Sequence, residues 1–412
     1  MIKMTSPRQV VAAALVFLLP FLCLTTLRGV SISSFAFLIA SLFLLKDGRA
    51  ALVRHWSAVR WVVLAFLANF LFAFLCFQLR DHAPLGVLEK PSRMLFSIAA
   101  LVVVLVARPS RKALWWGVTC GAIGAVVFVG YQRVELDLDR PGGLINAITF
   151  GDLSLCLGLI ALAAAIDFRR ARDAIWPCIG ALAGLLGSIF TGTRGGWVAL
   201  LFAAVLFIRY SRVMRSKVMA ALVAASLALL TATYFIPATG MAERVAQGRA
   251  DIDAYFHGGS VNTNVGIRLE LWKGASMLIR QHPWFGIGSN EYKRELDQYV
   301  TQGKLDPVVR ESLHLHNDAM QILVTGGVAG FAIWAATLIA PFAFFRRFLK
   351  GHAQASRQQI ALSLAGLLLV TCYFSFGLTE VIFWSVKGSL FYALMIFMLM
   401  GFCLNAKDSD GK

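Results

Sequence analysis

Residues 381–404 read VIFWSVKGSLFYALMIFMLMGFCL, with Lys387 the one charged side chain in the stretch. A helix of ~20 such residues spans the ~30 Å hydrocarbon core of a bilayer, and it satisfies its own backbone hydrogen bonds there. Reading backwards from it, further apolar runs fall at 10–27, 30–45, 61–79, 94–107, 113–131, 149–166, 174–190, 197–208, 218–236, 319–345 and 360–377, which makes twelve predicted spans. The whole 412-residue chain is 58% hydrophobic and 15% charged, against about 45–50% and about 25% for soluble domains. That composition excludes a soluble globule, a disordered chain and a small disulfide scaffold. The predicted fold class is an all-α polytopic membrane protein.

The net charge of +17 then has to be placed. With the N-terminus inside and loops alternating, the inside set carries 22 cations and five acids, and the rest of the chain carries 17 of each. The excess is therefore the positive-inside signal, and it predicts both termini in the cytoplasm. A nucleic-acid patch is a poor alternative, because the cations sit in short loops between spans. Lys3 and Arg8 before the first run resemble a signal peptide. The absence of a small-residue cleavage site and the immediate second span predict a retained helix. All seven cysteines fall in apolar spans, so no disulfide framework is expected.

One connection breaks the pattern. Spans one to nine occupy 1–236, spans ten to twelve and a short tail occupy 319–412, and between them 237–318 is soluble in character with balanced charge. Long connections in compact proteins are usually functional. Ile267, Leu271, Ala275 and Leu278 recur at helical spacing, and His282-Pro283 ends that helix. Gly286 to Asn290 reads as a turn and N-cap for a second helix with Tyr292, Leu296 and Tyr299 on one face. Asp306-Pro307 reads as the cap and first position of a third helix, running through His314, His316 and Asn317 into the tenth span.

Several residues here can carry chemistry. Thr191-Gly-Thr-Arg-Gly-Gly-Trp197 joins two spans at the outer face, where cations are scarce. Arg194 there reads either as an anion site, helped by glycines that let backbone approach a ligand and by free N–H groups at the next helix start, or as an interfacial arginine snorkelling to headgroups. Arg268 on the first loop helix reads alone as a solvated face. His314-Leu-His316 lacks an evident third ligand for zinc. His316 reads better as a general base titrating near neutrality, or as a plain helix cap. The D-x-D pairs Asp137/Asp139 and Asp251/Asp253 resemble metal-holding motifs but read as solvated loops. Lys387, about seven residues into the last span, and Glu380 near its outer end are ionisable groups at membrane depth. An acid or a bound phosphate would satisfy Lys387. Arg93 and Arg140 are further outside cations with no motif around them.

His316-Asn317, nine residues from Asp318 to Gly326, then Gly327-Val-Ala-Gly330 resemble the H-[NSQ]-x9-G-x-x-[GTY] motif of bacterial O-antigen ligases. The Thr-Gly-Thr-Arg-Gly-Gly run resembles that family's arginine turn. Gly266 to Trp272, followed by His-Pro-Trp-Phe-Gly-Ile-Gly288, resembles the start of its large periplasmic loop. The resemblance implies a type C glycosyltransferase-like fold in the bacterial inner membrane. It implies transfer of preassembled O-antigen from undecaprenyl pyrophosphate to lipid A-core, with inversion and without metal, ATP or other cofactor. His316 would be the general base, Arg194 and Arg268 the donor-pyrophosphate ligands, and Asn317 and Lys387 further site residues. Gly326, Gly327 and Gly330 would allow close helix packing beneath His316. The expected partners are the two lipid-linked saccharides and membrane lipids, with no nucleic acid. An O-antigen polymerase or a protein O-oligosaccharyltransferase would use the same donor. A lipid-linked sugar transporter, from a different class, would more often show internal repeats or helices interrupted at the midplane.

Overall fold

The computed structural model describes residues 6–193, 195–210, 224, 231, 235, 241–349 and 355–410. Among them every regular element is a helix, with no strand. The helices are α1 (Pro7–Thr25), α2 (Gly29–Leu42), α3 (Leu45–Phe74), α4 (Glu89–Phe96), α5 (Ile98–Ala107), α6 (Arg111–Val134), α7 (Ala147–Ala165), α8 (Ala171–Phe190) and α9 (Val198–Tyr210). After them come α10 (Met241–Phe256), α11 (Asn264–Gln281), α12 (Glu291–Thr301), α13 (Asp318–Leu349), α14 (Arg357–Phe376) and α15 (Val386–Asp410). Nine helical runs among the described residues are long and apolar enough to cross a membrane, and α2 and Gly195–Tyr210 are apolar but shorter. The nine and these two correspond to all the predicted spans except 218–236, which lies outside the described residues, positions 224, 231 and 235 apart.

Two boundaries differ from the sequence reading. The run predicted at 61–79 begins at Leu45 and extends to Arg80. Lys46, Arg49, Arg54 and Arg60 end the apolar window but not the helix, because charge on an exposed helix face does not break backbone bonds. The last span starts at Val386, not at 381. Ile382–Trp384 form a single 3₁₀ turn, and Ser385 is extended (φ −69°, ψ 129°). Lys387 is therefore the second residue of α15 and lies at the helix end.

Packing uses small residues. In α7 every residue from Thr149 to Ala165 is buried, and α7 lies against α6, α8 and α14. Gly184 of α8 approaches Gly158 so closely that a Cβ there would sit 2.5 Å from the Gly158 Cα. Gly117 and Gly121 of α6 lie on the α1 backbone at Phe17 and Pro20. Lipid tails are as apolar as leucine, so close van der Waals approach takes over the role of hydrophobic burial.

The segment between the spans has its own small core of Leu271, Ala275, Leu278, Tyr292, Leu296 and Tyr299, closed below by Val324 of α13. α11 is capped by Thr263, whose Oγ1 accepts from Gly266 N–H at 3.0 Å, and His282 ends it as predicted. α10 had no signal in the sequence reading. It carries Asp251 and Asp253, so this D-x-D pair is helical and not a loop. Asp251 is buried while Asp253 faces His257 at 3.0 Å. Asp306 does cap the next turn, its Oδ1 accepting from Val308 N–H at 2.9 Å, but the helix stops at Glu311 as a 3₁₀ turn. Residues 312–317 are irregular, and His316 takes φ +51°.

α13 is broken at Gly327 (φ 63°, ψ −164°). The backbone of 283–288 fills the break: Val328 N–H donates to Pro283 O (2.8 Å), Ala329 N–H to Trp284 O (3.0 Å), and Ile287 N–H to Val324 O (2.8 Å). Gly326 and Gly330 meet Phe72 of α3, as expected for close packing, whereas Gly327 serves the break. A side chain at Gly327 would collide with Trp284 and Phe285 backbone.

Candidate functional site

The irregular segment 312–317 is held from three directions. Trp272 of α11 donates its indole N–H to Leu315 O at 2.8 Å, and Leu315 N–H donates to Gln321 Oε1 at 3.0 Å. Asn317 caps α13, its Oδ1 accepting from Met320 N–H at 2.9 Å, and its Nδ2 donates to Leu378 O at 3.1 Å. Asp318 N–H donates to Gly377 O at 2.8 Å. Asn317 is thus a brace between the loop's return and the end of α14. The left-handed backbone at His316 costs on the order of 1–3 kcal/mol, and this framework is what holds it.

The framework points both histidines at one carboxylate. His314 Nε2 lies 3.1 Å from Glu380 Oε1, and His316 Nδ1 lies 3.2 Å from Glu380 Oε2. The rings meet edge to face at 4.5 Å between centroids. Glu380 is only 3% exposed. Burial pushes its carboxyl up, but the His316 hydrogen bond and the two imidazoles outweigh that and leave it below the ordinary 4.5. Burial lowers His314 from the ordinary 6.5, against the pull of Glu380.

These contacts orient the two rings. His316 N–H donates to His314 Nδ1 at 3.4 Å, so the neutral His314 carries its proton on Nε2, toward Glu380. An ionised Glu380 accepts only, so His316 Nδ1 is the donor in that contact and Nε2 is the ring nitrogen not engaged by Glu380. An imidazole held through one ring nitrogen by a buried carboxylate can act as a general base when its other nitrogen is deprotonated. The sequence reading missed Glu380 as the partner of both histidines, and its only signal was an acid at the outer end of a span.

Arg268 is half-buried on α11, and among the described residues no hydrogen bond, ion pair or ring contact reaches it. Burial lowers it from its ordinary 12.5, while Glu380 raises it and Arg140 lowers it further. A guanidinium stays charged in a protein, so a half-buried one with no hydrogen-bond partner among the described residues can receive an anion. Arg140, which had no motif to mark it, contributes to the same field. Arg194 lies outside the described residues, but its neighbours are placed. Gly195 packs on Thr379, next to Glu380, and Gly196 packs on Asp152 and Phe376. Those two glycines admit protein and not ligand, whereas Gly192 (φ +67°) has open space where a side chain would be. The arginine turn therefore abuts the Glu380 loop.

Other predicted residues lie apart from this cluster. Lys387 donates to Thr26 O at 2.8 Å, so a carbonyl satisfies it in place of the acid or phosphate expected. Arg93 is buried against Glu89 (2.7 Å) and Ser31 O (3.0 Å). Asp137 is exposed, and Asp139 pairs with Arg133. All seven cysteines are free thiols. The structure does supply a third ligand atom for the histidine pair, since donors of His314, His316 and Glu380 lie within 4.8 Å of one another.

Comparison with known proteins agrees with these motifs. An uncharacterized protein of Haemophilus influenzae is 22% identical over 340 residues, covering 80% of this chain and 84% of its own. A family model described as O-antigen ligase matches residues 179–335, a stretch that holds the arginine turn, α11, the histidine segment and the break in α13. That stretch is similar to the O-antigen ligase family, and the chain around it is built of apolar helices long enough to cross a membrane.

Proposed function

We propose that this protein is an O-antigen ligase of the bacterial inner membrane. It takes preassembled O-antigen from undecaprenyl pyrophosphate and joins it to lipid A-core. Both termini lie in the cytoplasm, twelve spans cross the bilayer, and 237–318 stands in the periplasm over the site. The observation that carries this reading is Glu380, buried, holding the imidazoles of His314 and His316 and sharing its field with the half-buried Arg268.

In the reaction, an acceptor hydroxyl oxygen attacks the anomeric carbon of the donor as His316 Nε2 takes its proton. The bond from that carbon to the phosphate oxygen breaks, and the electron pair leaves with the lipid pyrophosphate. Attack opposite the leaving group inverts the anomeric centre. Arg268 and Arg194 hold the charge that develops, through planar donors suited to phosphate oxygens. Glu380 keeps the histidine in the reactive tautomer and stabilises the imidazolium once formed.

In this reading Glu380 serves the two imidazoles and no metal takes part, although the same three side chains offer a ligand set. Ligation by the purified protein should therefore survive EDTA. Abolition by EDTA with rescue by Zn²⁺, Mg²⁺ or Mn²⁺ would assign His314, His316 and Glu380 to a cation instead. Deleting the gene tests the reaction itself. Loss of long-chain lipopolysaccharide with accumulation of lipid-linked O-antigen supports the ligase. Lipopolysaccharide carrying a single repeat would make the protein an O-antigen polymerase.

A further inference from the structure

A cavity of about 270 Å³ has His314 in its wall. Its walls come from α11, α12 and the segment around 309–315, and its polar lining is Tyr292, Lys293, Asp297, Arg310, Ser312 and His314. No spanning helix contributes a wall. The volume is just under the ~300–1,000 Å³ of sites for drug-sized ligands, so it suits one sugar ring and not an oligosaccharide or a polyprenyl chain.

Its polar groups are unevenly used. Arg310 Nε pairs with Asp297 Oδ1 at 2.5 Å and its Nη2 reaches Thr301 Oγ1 at 3.5 Å, which leaves Nη1 without a protein partner among the described residues, and Tyr292 donates to Leu313 O at 2.6 Å. Lys293 is exposed and has no hydrogen bond or ion pair among the described residues. His314 closes one side, with its ring 4.5 Å from that of His316 and its Nε2 on Glu380. A ligand filling the cavity therefore lies one imidazole away from the reacting atoms.

We propose that this cavity binds a single sugar unit bearing a negative group, phosphate or carboxylate, adjacent to the unit that reacts. The ring occupies the hollow, Asp297 and Ser312 take its hydroxyls, and Lys293 with the free face of Arg310 takes the anion. The proposal rests on the glycosyl-transfer reading and extends it. Either saccharide can supply such a unit, the accepting glycan or the transferred one.

The full-length protein in lipid nanodiscs is titrated with glucose 6-phosphate and with glucose, and binding is read by saturation-transfer NMR. Glucose 6-phosphate should bind the wild type, and Lys293→Met should weaken it about fivefold to tenfold, on the scale of one lost charged contact. Glucose binding and melting temperature should not change. Equal glucose 6-phosphate binding by wild type and Lys293→Met, or no binding by either, overturns the proposal. In ligation assays the source follows from which KM rises in Lys293→Met at constant kcat, that of the acceptor or that of the donor. No change in either KM overturns it as well. His316→Ala keeps sugar-phosphate binding while losing ligation. If it keeps both, the catalytic reading fails and the cavity stands.

Discussion

Two sets of cations occupy the end of the bundle near Glu380, and the protein treats them differently. Lys90, Arg93 and Lys387, on helices, are each satisfied by the fold itself. Lys90 donates to Phe383 O at 2.9 Å, Lys387 donates to Thr26 O at 2.8 Å, and Arg93 holds Glu89 and Ser31 and lies 4.5 Å over the Phe35 ring. Arg268 and Lys293, on α11 and α12, have no such partners among the described residues. The difference is one of solvent. A cation buried without a partner costs several kcal/mol, so folding selects a partner for it. A cation on the rim keeps water until an anion displaces it, so it can wait for a ligand. Charge spent inside the packed helices thus reads as architecture here, and unspent charge at the rim is what a ligand can use.

Substitutions in the two sets should separate accordingly. The largest effect is expected at the base the rim cations surround. His316→Ala should slow ligation by about 10²–10⁴-fold while purified protein still binds lipid pyrophosphate. A near-wild-type rate from folded, inserted His316→Ala would remove the base assignment. Arg268→Ala should cost ~2–4 kcal/mol of transition-state stabilisation and also weaken donor binding. Arg268→Lys should rescue little, because it keeps the charge but not the planar fork. Full rescue by lysine would reduce Arg268 to a source of field.

The paired set should move stability instead. Lys387→Met leaves the Thr26 carbonyl without its donor, so a loss of about 1–3 kcal/mol is expected, seen as a lower melting temperature. Donor affinity should not change. Weaker donor binding by Lys387→Met at unchanged melting temperature would break the division between the two sets. The smallest effect concerns pH. Glu380 is held below its ordinary 4.5. Its contribution to stability is thus present above that value and is lost as pH falls through the lower folded value. Glu380→Gln should flatten this acid limb while leaving stability at neutral pH less sensitive to acidification. An unchanged limb would mean that another carboxylate sets it.

Much of the chain was legible because its signals are local. Hydropathy over about twenty residues sets a span, and the asymmetry of Lys and Arg between loops sets an orientation. Caps such as Thr263 and Asp306 act within three residues, and His282-Pro283 ends a helix where it stands. The histidine, the arginines and the glycine spacing were visible for the same reason. The helix predicted through His314 and His316 failed because the neighbours that override it are distant. Leu378 O and Gly377 O, on another helix's end, draw the backbone of 317–318 into a different path.

What the sequence by itself determined is therefore the set of apolar helices, their charge asymmetry and the residue types gathered near the loop. Tertiary structure alone decided how those residues are used. Glu380 meets His316 across 64 residues, Gly327 opens a helix so that 283–288 can close it, and Lys387 reaches the end of α1 across 361 residues. No local pattern encodes such pairs. Each exists because burying a polar group without a partner is costly, and only the packed chain decides which partner lies within reach.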